Sequence, residues 1–403
     1  MPLNNIQTPD TIAISQINHP CKSELKVIYL DGIRGIAAFL VIIHHFYLAF
    51  YPAYPLEKGN LLFIHQNFYE RLFYRSPFLF LVNGRFLVLI FFILSGFVLS
   101  KKEHTERSTN DLKEATFRRF TRLYLPVAFS LSIAILLNRL SLNYSLEAER
   151  LTKSTFLLTL NSSLSIPTFL REILYSAMLT GNSSLNPVLW TISIELYGSF
   201  FVYAICAVTR GIKNRLPVLL IISGLMILTH NIEYSAFLLG MLLNYTNKIY
   251  IYHNAKKVIM IAVGIVLSLL LGGYTANTKG TFYELLPHVF TDYTLIINLV
   301  GAFSLVALIQ HSKTTQKILS INAFSFLGNV SFSVYLIHIL ILSSFSSLFF
   351  LKINFYLNYN LAFMMTLLIS ILLIYGLSYL MTLFIDKKSV SASVFIYKSL
   401  FQA

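Results

Sequence analysis

Long apolar blocks alternate with short polar gaps along the chain. Most blocks approach the length of about 20 residues that a helix needs to cross the hydrocarbon core of a bilayer. The fifth and sixth blocks are short and are also compatible with one re-entrant pair of helices. The pattern predicts an all-α polytopic membrane protein, a bundle of about ten transmembrane helices. The ten blocks lie at residues 30–50, 85–100, 123–138, 187–208, 216–230, 232–246, 258–274, 291–310, 330–351 and 361–385.

Composition agrees with lipid as the main solvent of the chain. Apolar residues make up 56% of the 403 residues and charged residues only 12%, whereas soluble domains carry about 25% charged residues. The net charge of +14 would point to nucleic acid in a soluble protein. Here the basic residues lie in the gaps between apolar blocks, so membrane lipids are the expected partner and nucleic acid is not.

The distribution of Lys and Arg predicts the orientation of the chain. With a cytoplasmic N-terminus, 20 of the 31 basic residues fall in cytoplasmic segments. This bias predicts that both termini are cytoplasmic. The domain organisation expected from it is a polar cytoplasmic N-terminal tail over 1–26, a transmembrane domain over 27–387 and a short cytoplasmic C-terminal tail over 388–403. The two long outer gaps, 51–84 and 139–186, are expected to form interfacial helices or a lid.

The first block contains charged and titratable residues, which the interior of a bilayer disfavours. Arg34 and His45 lie eleven residues apart, close to three helical turns, so both side chains point to one face with about 16 Å between them along the axis. His44 points about 100° away. In one interpretation Arg34 reaches lipid phosphates and His45 is a satisfied buried imidazole. In the other they form a catalytic pair, because a histidine with an ordinary pKa suits general-base catalysis.

Glu195 is an isolated acid in the apolar stretch NPVLWTISIELY, near the only tryptophan, Trp190. A buried carboxylate needs a proton or a cationic partner. Helix packing gives no reason to keep it, so we predict a functional role for Glu195.

A basic cluster, FRRFTRLYLP, begins the third block. Arg119 and Arg122 lie one turn apart and are candidates for gripping an anionic ligand together. Contacts with lipid phosphates are the alternative, which we favour for Arg118. Before this cluster, Ser95 and Gly96 in FFILSGFVLS are compatible with close helix packing or with a catalytic serine.

The ninth block reads LGNVSFSVYLIHIL. Tyr335 and His338 are three residues apart and share a helix face. They either line the same cavity as the first block or form hydrogen bonds between helices.

Together these stretches resemble the membrane-bound acyltransferase-3 family. Arg34 and His45 match its Arg-x10-His signature, and FFILSGFVLS, RRFTRLYLP, LWTISIELY and SFSVYLIH follow in the order of the family. The resemblance covers about residues 26–390. It implies ten spans, with acetyl-CoA or another acyl-CoA as the cytoplasmic donor and no metal. The implied acceptor is a sugar hydroxyl of a surface glycan or its lipid-linked precursor, such as lipopolysaccharide O-antigen, at a bacterial inner membrane.

The same resemblance implies roles for individual residues. His45 matches the proposed catalytic histidine and Arg34 its paired arginine, and we place Glu195 with them as a catalytic residue. The expected cofactor-binding residues are two arginines for the donor phosphates and two polar residues of the pore: Arg119, Arg122, Tyr335 and His338.

The chain departs from the family near its end. The last span often ends with a Glu-x-Pro-like sequence, whereas here FIDKKSV has Asp386 and no proline. Many relatives also carry a C-terminal soluble hydrolase-like domain, and only about 17 residues follow the last block. The expectation is a stand-alone transferase that acylates directly or works with a separate periplasmic acyltransferase partner.

Two functions remain open from the residues. The first is O-acyl transfer, with His45 as a general base or a transient acyl carrier and Arg34 holding the donor or polarising a carbonyl. The second is a proton- or ion-coupled secondary transporter or lipid-linked sugar flippase that uses Asp31, Arg34, His45 and Glu195 as a relay. Internal repeats, common in transporters, are not found in the sequence, which favours the enzyme.

Overall fold

The fold is described from a computed structural model. It describes residues 28–55, 61–65, 68–101, 109–160, 166–246, 255–276, 281–285 and 293–401. The predicted N-terminal tail, 1–26, lies outside these ranges.

Helices dominate the described residues. The exception is a pair of three-residue antiparallel strands, β1 (Ala53–Pro55) and β2 (Leu61–Phe63). The α-helices are α1 (Ile28–Phe50), α2 (Phe68–Leu72), α3 (Gly84–Leu99), α4 (Thr109–Arg139), α5 (Ser145–Thr152), α6 (Thr155–Thr159), α7 (Ile166–Arg171), α8 (Trp190–Val208), α9 (Leu216–Leu228), α10 (Ile232–Thr246), α11 (Ala255–Gly273), α12 (Thr294–His311), α13 (Lys313–Leu319), α14 (Asn322–Ile341), α15 (Ser347–Ile353), α16 (Tyr359–Met381) and α17 (Lys387–Phe401).

Shorter helical segments of other types join some of these helices. Within the described ranges, 3₁₀ turns span Pro77–Val82, Pro187–Leu189 and Phe282–Leu285. Segments of π-helix span Glu172–Thr180, Leu342–Ser346 and Thr382–Asp386 in the same ranges. The last two make α14–α15 and α16–α17 continuous, over 32 and 43 residues.

The described residues of every predicted block are largely helical, but the helices differ in their ability to span a bilayer. Among the described residues, six helices are long and apolar enough to cross a membrane: Ile28–Phe50, Asp111–Arg139, Pro187–Val208, Thr294–His311, Asn322–Ile353 and Tyr359–Phe401. Helix α9 has 13 residues and α10 has 15, so each is roughly 20 Å long against a hydrocarbon core of about 30 Å. The structure thus confirms a multi-pass helical membrane protein, while the count of ten and the cytoplasmic termini stay predictions.

Helices α1 and α14 approach each other closely because glycines face each other at their contact. A Cβ added to Gly35 would lie 2.5 Å from the backbone nitrogen of Gly328, and a Cβ on Gly328 would lie 2.1 Å from the carbonyl oxygen of Asp31. A larger residue at either position would force the backbones apart. This contact sets the register that brings the C-terminal half of α14 beside the C-terminal half of α1.

Helix α17 packs along α4 at the end of the bundle that contains Arg34. The ring of Phe117 contacts the rings of Tyr397 and Phe401, with centroids 5.9 and 5.4 Å away. The hydroxyl of Ser389 donates to the backbone oxygen of Arg122 at 3.3 Å. The described part of the segment predicted as a C-terminal tail is therefore a packed helix.

Short helices occupy both long gaps at the opposite end, which contains His45. The hydroxyl of Ser154, just before α6, donates to the carbonyl of Leu48 in α1 at 2.6 Å. The buried carboxylate of Glu172 accepts hydrogen bonds from the hydroxyl of Ser183 at 2.7 Å and the backbone nitrogen of Ser184 at 3.0 Å. The bonds of Glu172 fix the loop that leads into α8, and that of Ser154 ties the second gap to α1, so the described parts of both outer segments pack against the bundle.

Candidate active site

Two cavities enter the bundle from its two ends. The larger, about 950 Å³, lies at the Arg34 end between α1, α3, α4, α8, α14 and α17. The smaller, about 510 Å³, lies at the His45 end, between the second half of α1, the start of α3 and the starts of α8 and α12. Arg34 lines only the larger cavity and His45 only the smaller one. The two residues predicted to act as a pair are therefore in different compartments.

Charged side chains line the larger cavity, and most of them are paired. Arg34 lies 3.6 Å from Asp31, which is on the same helix face. Arg118 lies 2.9 Å from Glu114, one turn away on α4. This second pair agrees with a structural role for Arg118.

Glu195 has the cationic partner that its burial requires. Its Oε1 accepts from Nη2 of Arg119 and from the hydroxyl of Ser95, the latter at 2.7 Å. The Nε of Arg119 donates to the hydroxyl of Ser199 at 2.9 Å. The side chains of Arg119 and Glu195 are each only 14% exposed, so this pair forms a fixed wall of the larger cavity. The predicted catalytic Glu195 thus lines the opposite compartment from His45, and Ser95 serves as its hydrogen-bond donor.

Arg122 differs from its neighbours. Its side chain is exposed and lines the larger cavity. Within the described ranges, its guanidinium forms no hydrogen bond or salt bridge. Of the two arginines predicted to bind donor phosphates, Arg122 is therefore the one whose donors are available to a ligand, while those of Arg119 are engaged.

His45 lies in a hydrogen-bonded chain of two histidines. The Nδ1 of His45 is 3.0 Å from the carbonyl oxygen of Val41 and 3.1 Å from Nε2 of His338. The Nδ1 of His338 is 3.0 Å from the carbonyl oxygen of Val334. Carbonyl oxygens only accept, so both Nδ1 atoms carry the proton and Nε2 of His338 accepts from Nδ1 of His45.

This assignment of tautomers leaves a lone pair on Nε2 of His45. In the part of the chain that the structure describes, Nε2 of His45 has no hydrogen-bond partner. A neutral imidazole held by its Nδ1–H, with a free Nε2, has the arrangement that a general base or a nucleophile needs. His338 is fully buried behind it, so the predicted donor-binding His338 contacts His45 instead.

His44, which was not among the predicted site residues, also lines the smaller cavity. Its Nδ1 donates to the carbonyl oxygen of Val82 at 2.6 Å, and a Cβ added to Gly84 would lie 2.5 Å from its Nε2. Although His44 and His45 point about 100° apart, the turn before α3 folds over α1 and closes the cavity on the side of His44. Gly84 makes room for the ring of His44, and it is the one feature of the sequence that indicated this close contact.

Aromatic and amide side chains complete the smaller cavity. The guanidinium of Arg85 lies 5.0 Å above the ring of Trp190 and 3.3 Å from Glu233. Asn83 and Tyr74 also line the cavity, and burial raises the pKa of the Tyr74 phenol to about 12, so this hydroxyl stays neutral at physiological pH. The amide of Asn83 donates to the carbonyl oxygen of Gly272 at 2.7 Å, so it fixes the wall of the cavity, and the aromatic side chains supply flat apolar faces.

Val88 and Tyr335 line both cavities. The hydroxyl of Tyr335 donates to the carbonyl oxygen of Val188 and accepts from the hydroxyl of Thr191, each at 2.7 Å. The two compartments therefore meet at the middle of the bundle, between α3 and α14. Tyr335 was predicted to bind the cofactor, and the structure places it at this junction.

Comparison with known proteins identifies the family. A family model described as an acyltransferase domain matches residues 27–381. The chain belongs to the acyltransferase-3 family. The match confirms the resemblance found from the motifs, and with it the prediction of an acyltransferase enzyme.

One relative of this acyltransferase is the O-acetyltransferase PaAT-1 of Phomopsis amygdali. The two are 32% identical over 120 residues, which covers 27% of this chain and 23% of PaAT-1. The chain thus matches about a quarter of that relative. No solved structure matches the chain.

Among the described residues of this acyltransferase, no group of three or more His, Cys, Asp or Glu side chains is arranged to hold a metal ion. The three neighbouring histidines use their Nδ1 atoms for hydrogen bonds to carbonyl oxygens. The polar side chains of both cavities are engaged mainly in hydrogen bonds and ion pairs with other protein groups.

Proposed function

We propose that the protein transfers an acyl group, most simply acetyl, from acyl-CoA to a hydroxyl of a sugar in a surface polysaccharide such as lipopolysaccharide O-antigen. The observation that carries this proposal is the junction at Val88 and Tyr335. It joins a cavity with an available arginine to a cavity with an available histidine nitrogen. The family and the named activity of the relative support acyl transfer to oxygen.

The larger cavity is the proposed donor site. Arg122 offers donors to the phosphates of coenzyme A, since guanidinium groups bind phosphate oxygens in bidentate fashion. Arg119 stabilises the wall through Glu195 and reaches a phosphate only if that ion pair opens. The sequence predicted that Arg119 and Arg122 bind the donor phosphates together. We propose that Arg122 makes most of these contacts.

The smaller cavity is the proposed acceptor site, and the reaction there uses Nε2 of His45. As a general base, Nε2 takes the proton of the acceptor hydroxyl while the oxygen attacks the thioester carbonyl. The C–S bond breaks, an ester C–O bond forms, and the coenzyme A thiolate receives the proton from His45. The products are the ester and free coenzyme A.

The same atom also serves the carrier route. Nε2 attacks the carbonyl, the C–S bond breaks, and the Nδ1 proton passes to Nε2 of His338 as the acyl-imidazole forms. The acceptor hydroxyl then attacks, the C–N bond breaks and the hydroxyl proton passes to the histidine pair. The pair releases its extra proton to solvent, and the thiolate takes up one proton from solvent, so the enzyme returns to its starting state. Both routes use the hydrogen bond from His45 to His338, which orients the imidazole in the first route and also accepts its proton in the second.

Arg34 has a different role in this scheme from the one the motif implies. It lies at the far end of the donor cavity from His45, paired with Asp31. We propose that Arg34 holds the donor rather than polarising the reacting carbonyl. The donor end is proposed to face the cytoplasm of a bacterial inner membrane, which follows the predicted orientation of the termini.

The test is transfer of labelled acetyl from acetyl-CoA to polysaccharide. Membranes that contain the protein, and matched membranes that lack it, are incubated with isotope-labelled acetyl-CoA and the surface polysaccharide of the native cells. We expect labelled O-acetyl ester only with the protein, located on a sugar by mass spectrometry. Proton flux coupled to a substrate, without any binding of labelled acetyl-CoA, would instead support the transporter.

A further inference from the structure

We propose that Val88 and Tyr335 form a neck that limits the length of the acyl group, so that the enzyme selects acetyl over longer chains. This inference rests on the proposed function above. It assigns substrate specificity to two residues, of which Val88 was not selected from the sequence.

Helix α3 runs along the larger cavity from its charged end to this neck. Residues of α3 that line the larger cavity recur at helical spacing, so they form one stripe along the helix: Val88, Phe91, Phe92, Ser95, Val98 and Leu99. The stripe is about 16 Å long. An extended pantetheine arm that starts among the arginines and follows it ends with its thioester at Val88.

Tyr335, on α14, lines the same two cavities as Val88 and is held in a fixed position. Two hydrogen bonds hold its hydroxyl, one to Val188 and one to Thr191, both at 2.7 Å. The side chain cannot rotate away without breaking both bonds. Val88 is only 9% exposed, so it is itself held by the core around α3.

The acyl group has to pass this neck because the donor and the reactive nitrogen are on its two sides. His45 lines only the smaller cavity, whereas the arginine residues predicted to bind the donor line only the larger one. An acyl group longer than acetyl must fit its extra methylenes between Val88 and Tyr335. One methylene that does not fit changes the specificity of an enzyme about 10- to 200-fold.

A competition assay measures this specificity directly. Membranes containing the protein receive an equimolar mixture of acetyl-, propionyl- and butyryl-CoA together with the surface polysaccharide of the native cells. Mass spectrometry then gives the ratio of propionyl and butyryl ester to acetyl ester. The ratio does not depend on how much of a variant is folded, since all donors compete for the same active molecules.

Val88→Ala removes two methyl groups from the neck and should raise the propionyl-to-acetyl ratio about tenfold. Val202→Ala is the matched control, because it makes the same change at a fully buried valine in the same core that lines neither cavity. Its ratio should stay within about twofold of the wild-type ratio. If Val88→Ala does not fold, Val88→Ile is used instead. Its larger side chain should lower the propionyl-to-acetyl ratio below that of the wild type.

The outcomes separate this inference from the proposed function. If the wild type makes acetyl ester but Val88→Ala leaves the ratio unchanged, the neck is refuted and the acyltransferase stands. Equal use of all three donors by the wild type refutes the neck as well. If the folded wild type makes no ester from any donor, the proposed function fails and the neck fails with it.

Discussion

The two cavities of this acyltransferase differ in kind although one helix, α1, contributes to both. At the Arg34 end the walls hold charges in pairs, and Arg122 remains available. At the His45 end the walls are histidines, amides and aromatic rings, and a nitrogen remains available. An available cation suits the binding of a polyanion, whereas an available imidazole nitrogen suits proton or acyl transfer. The difference supports the proposal that donor binding and chemistry are separated along the bundle.

This separation gives a physical reason for the spacing in the family signature. Arg34 and His45 are on the same face of α1, yet about 16 Å apart. This rise separates their backbone positions, and the two side chains line different cavities, which disfavours joint action on one carbonyl. The spacing instead fits the proposed separation of the donor site from the site of transfer. Variants of each end should therefore affect different steps.

The largest effect is expected from His45→Ala. Loss of a general base costs about 10²- to 10⁴-fold in rate, and loss of an acyl carrier costs at least as much. Binding of labelled acetyl-CoA should be unchanged, because His45 lies outside the donor cavity. His311→Ala, at the end of α12 and outside both cavities, is the control. Normal ester formation by His45→Ala would remove His45 from the mechanism.

The next largest effect is a loss of unfolding free energy when the Arg119–Glu195 ion pair in the wall of the larger cavity is broken. Arg119→Ala leaves Glu195 as an uncompensated charge in a wall that is nearly buried, which should cost about 3 kcal/mol of unfolding free energy. Glu195→Ala should cost a similar amount. The double variant should be more stable than the sum of the two changes predicts, because neither charge is then left alone. Additive losses in thermal unfolding would show that the ion pair is not the stabilising contact.

A smaller effect on donor binding is expected from Arg122→Ala. Removing one charge-assisted contact to a phosphate should raise KM for acetyl-CoA about tenfold and leave kcat nearly unchanged. Arg139→Ala is the control, because Arg139 is an exposed arginine at the other end of the same helix. A fall in kcat at constant KM would place Arg122 in the chemistry rather than in binding.

The smallest effect is expected at His338, which we regard as a positioning residue. His338→Phe removes the acceptor for Nδ1 of His45 and should lower kcat about fivefold, the equivalent of about 1 kcal/mol. The KM for acetyl-CoA should not change. His338→Gln keeps an oxygen acceptor and should recover most of the rate. Equal losses in both variants would indicate a packing role only.

The helices could be predicted from the sequence because apolar blocks are a local signal. The described residues of all ten blocks are largely helical, and because α1 is continuous from Ile28 to Phe50, the helical period puts Arg34 and His45 on one face. What the pattern could not supply is which residues meet. His45 and His338 are separated by 293 positions and Arg119 and Glu195 by 76, and such contacts depend on how helices pack.

The surroundings of Glu195 and His44 illustrate this limit. Glu195 was grouped with His45 because both are polar residues within spans, but the approach of α4 to α8 pairs it with Arg119. His44 was passed over because helical geometry turns it away from His45, yet the turn at Val82 and Gly84 folds over it. In both cases a neighbouring segment, rather than the helix itself, decides what the side chain contacts.

The most direct test of the separation is protection from a thiol reagent. In a variant with Cys21 and Cys206 replaced by serine, a single cysteine is introduced by Asn329→Cys in the larger cavity or by Thr275→Cys in the smaller one. The rate of labelling by a maleimide is measured with and without coenzyme A. We predict that coenzyme A slows labelling at position 329 and leaves position 275 unchanged. Protection at 275 without protection at 329 would contradict a donor site at the Arg34 end.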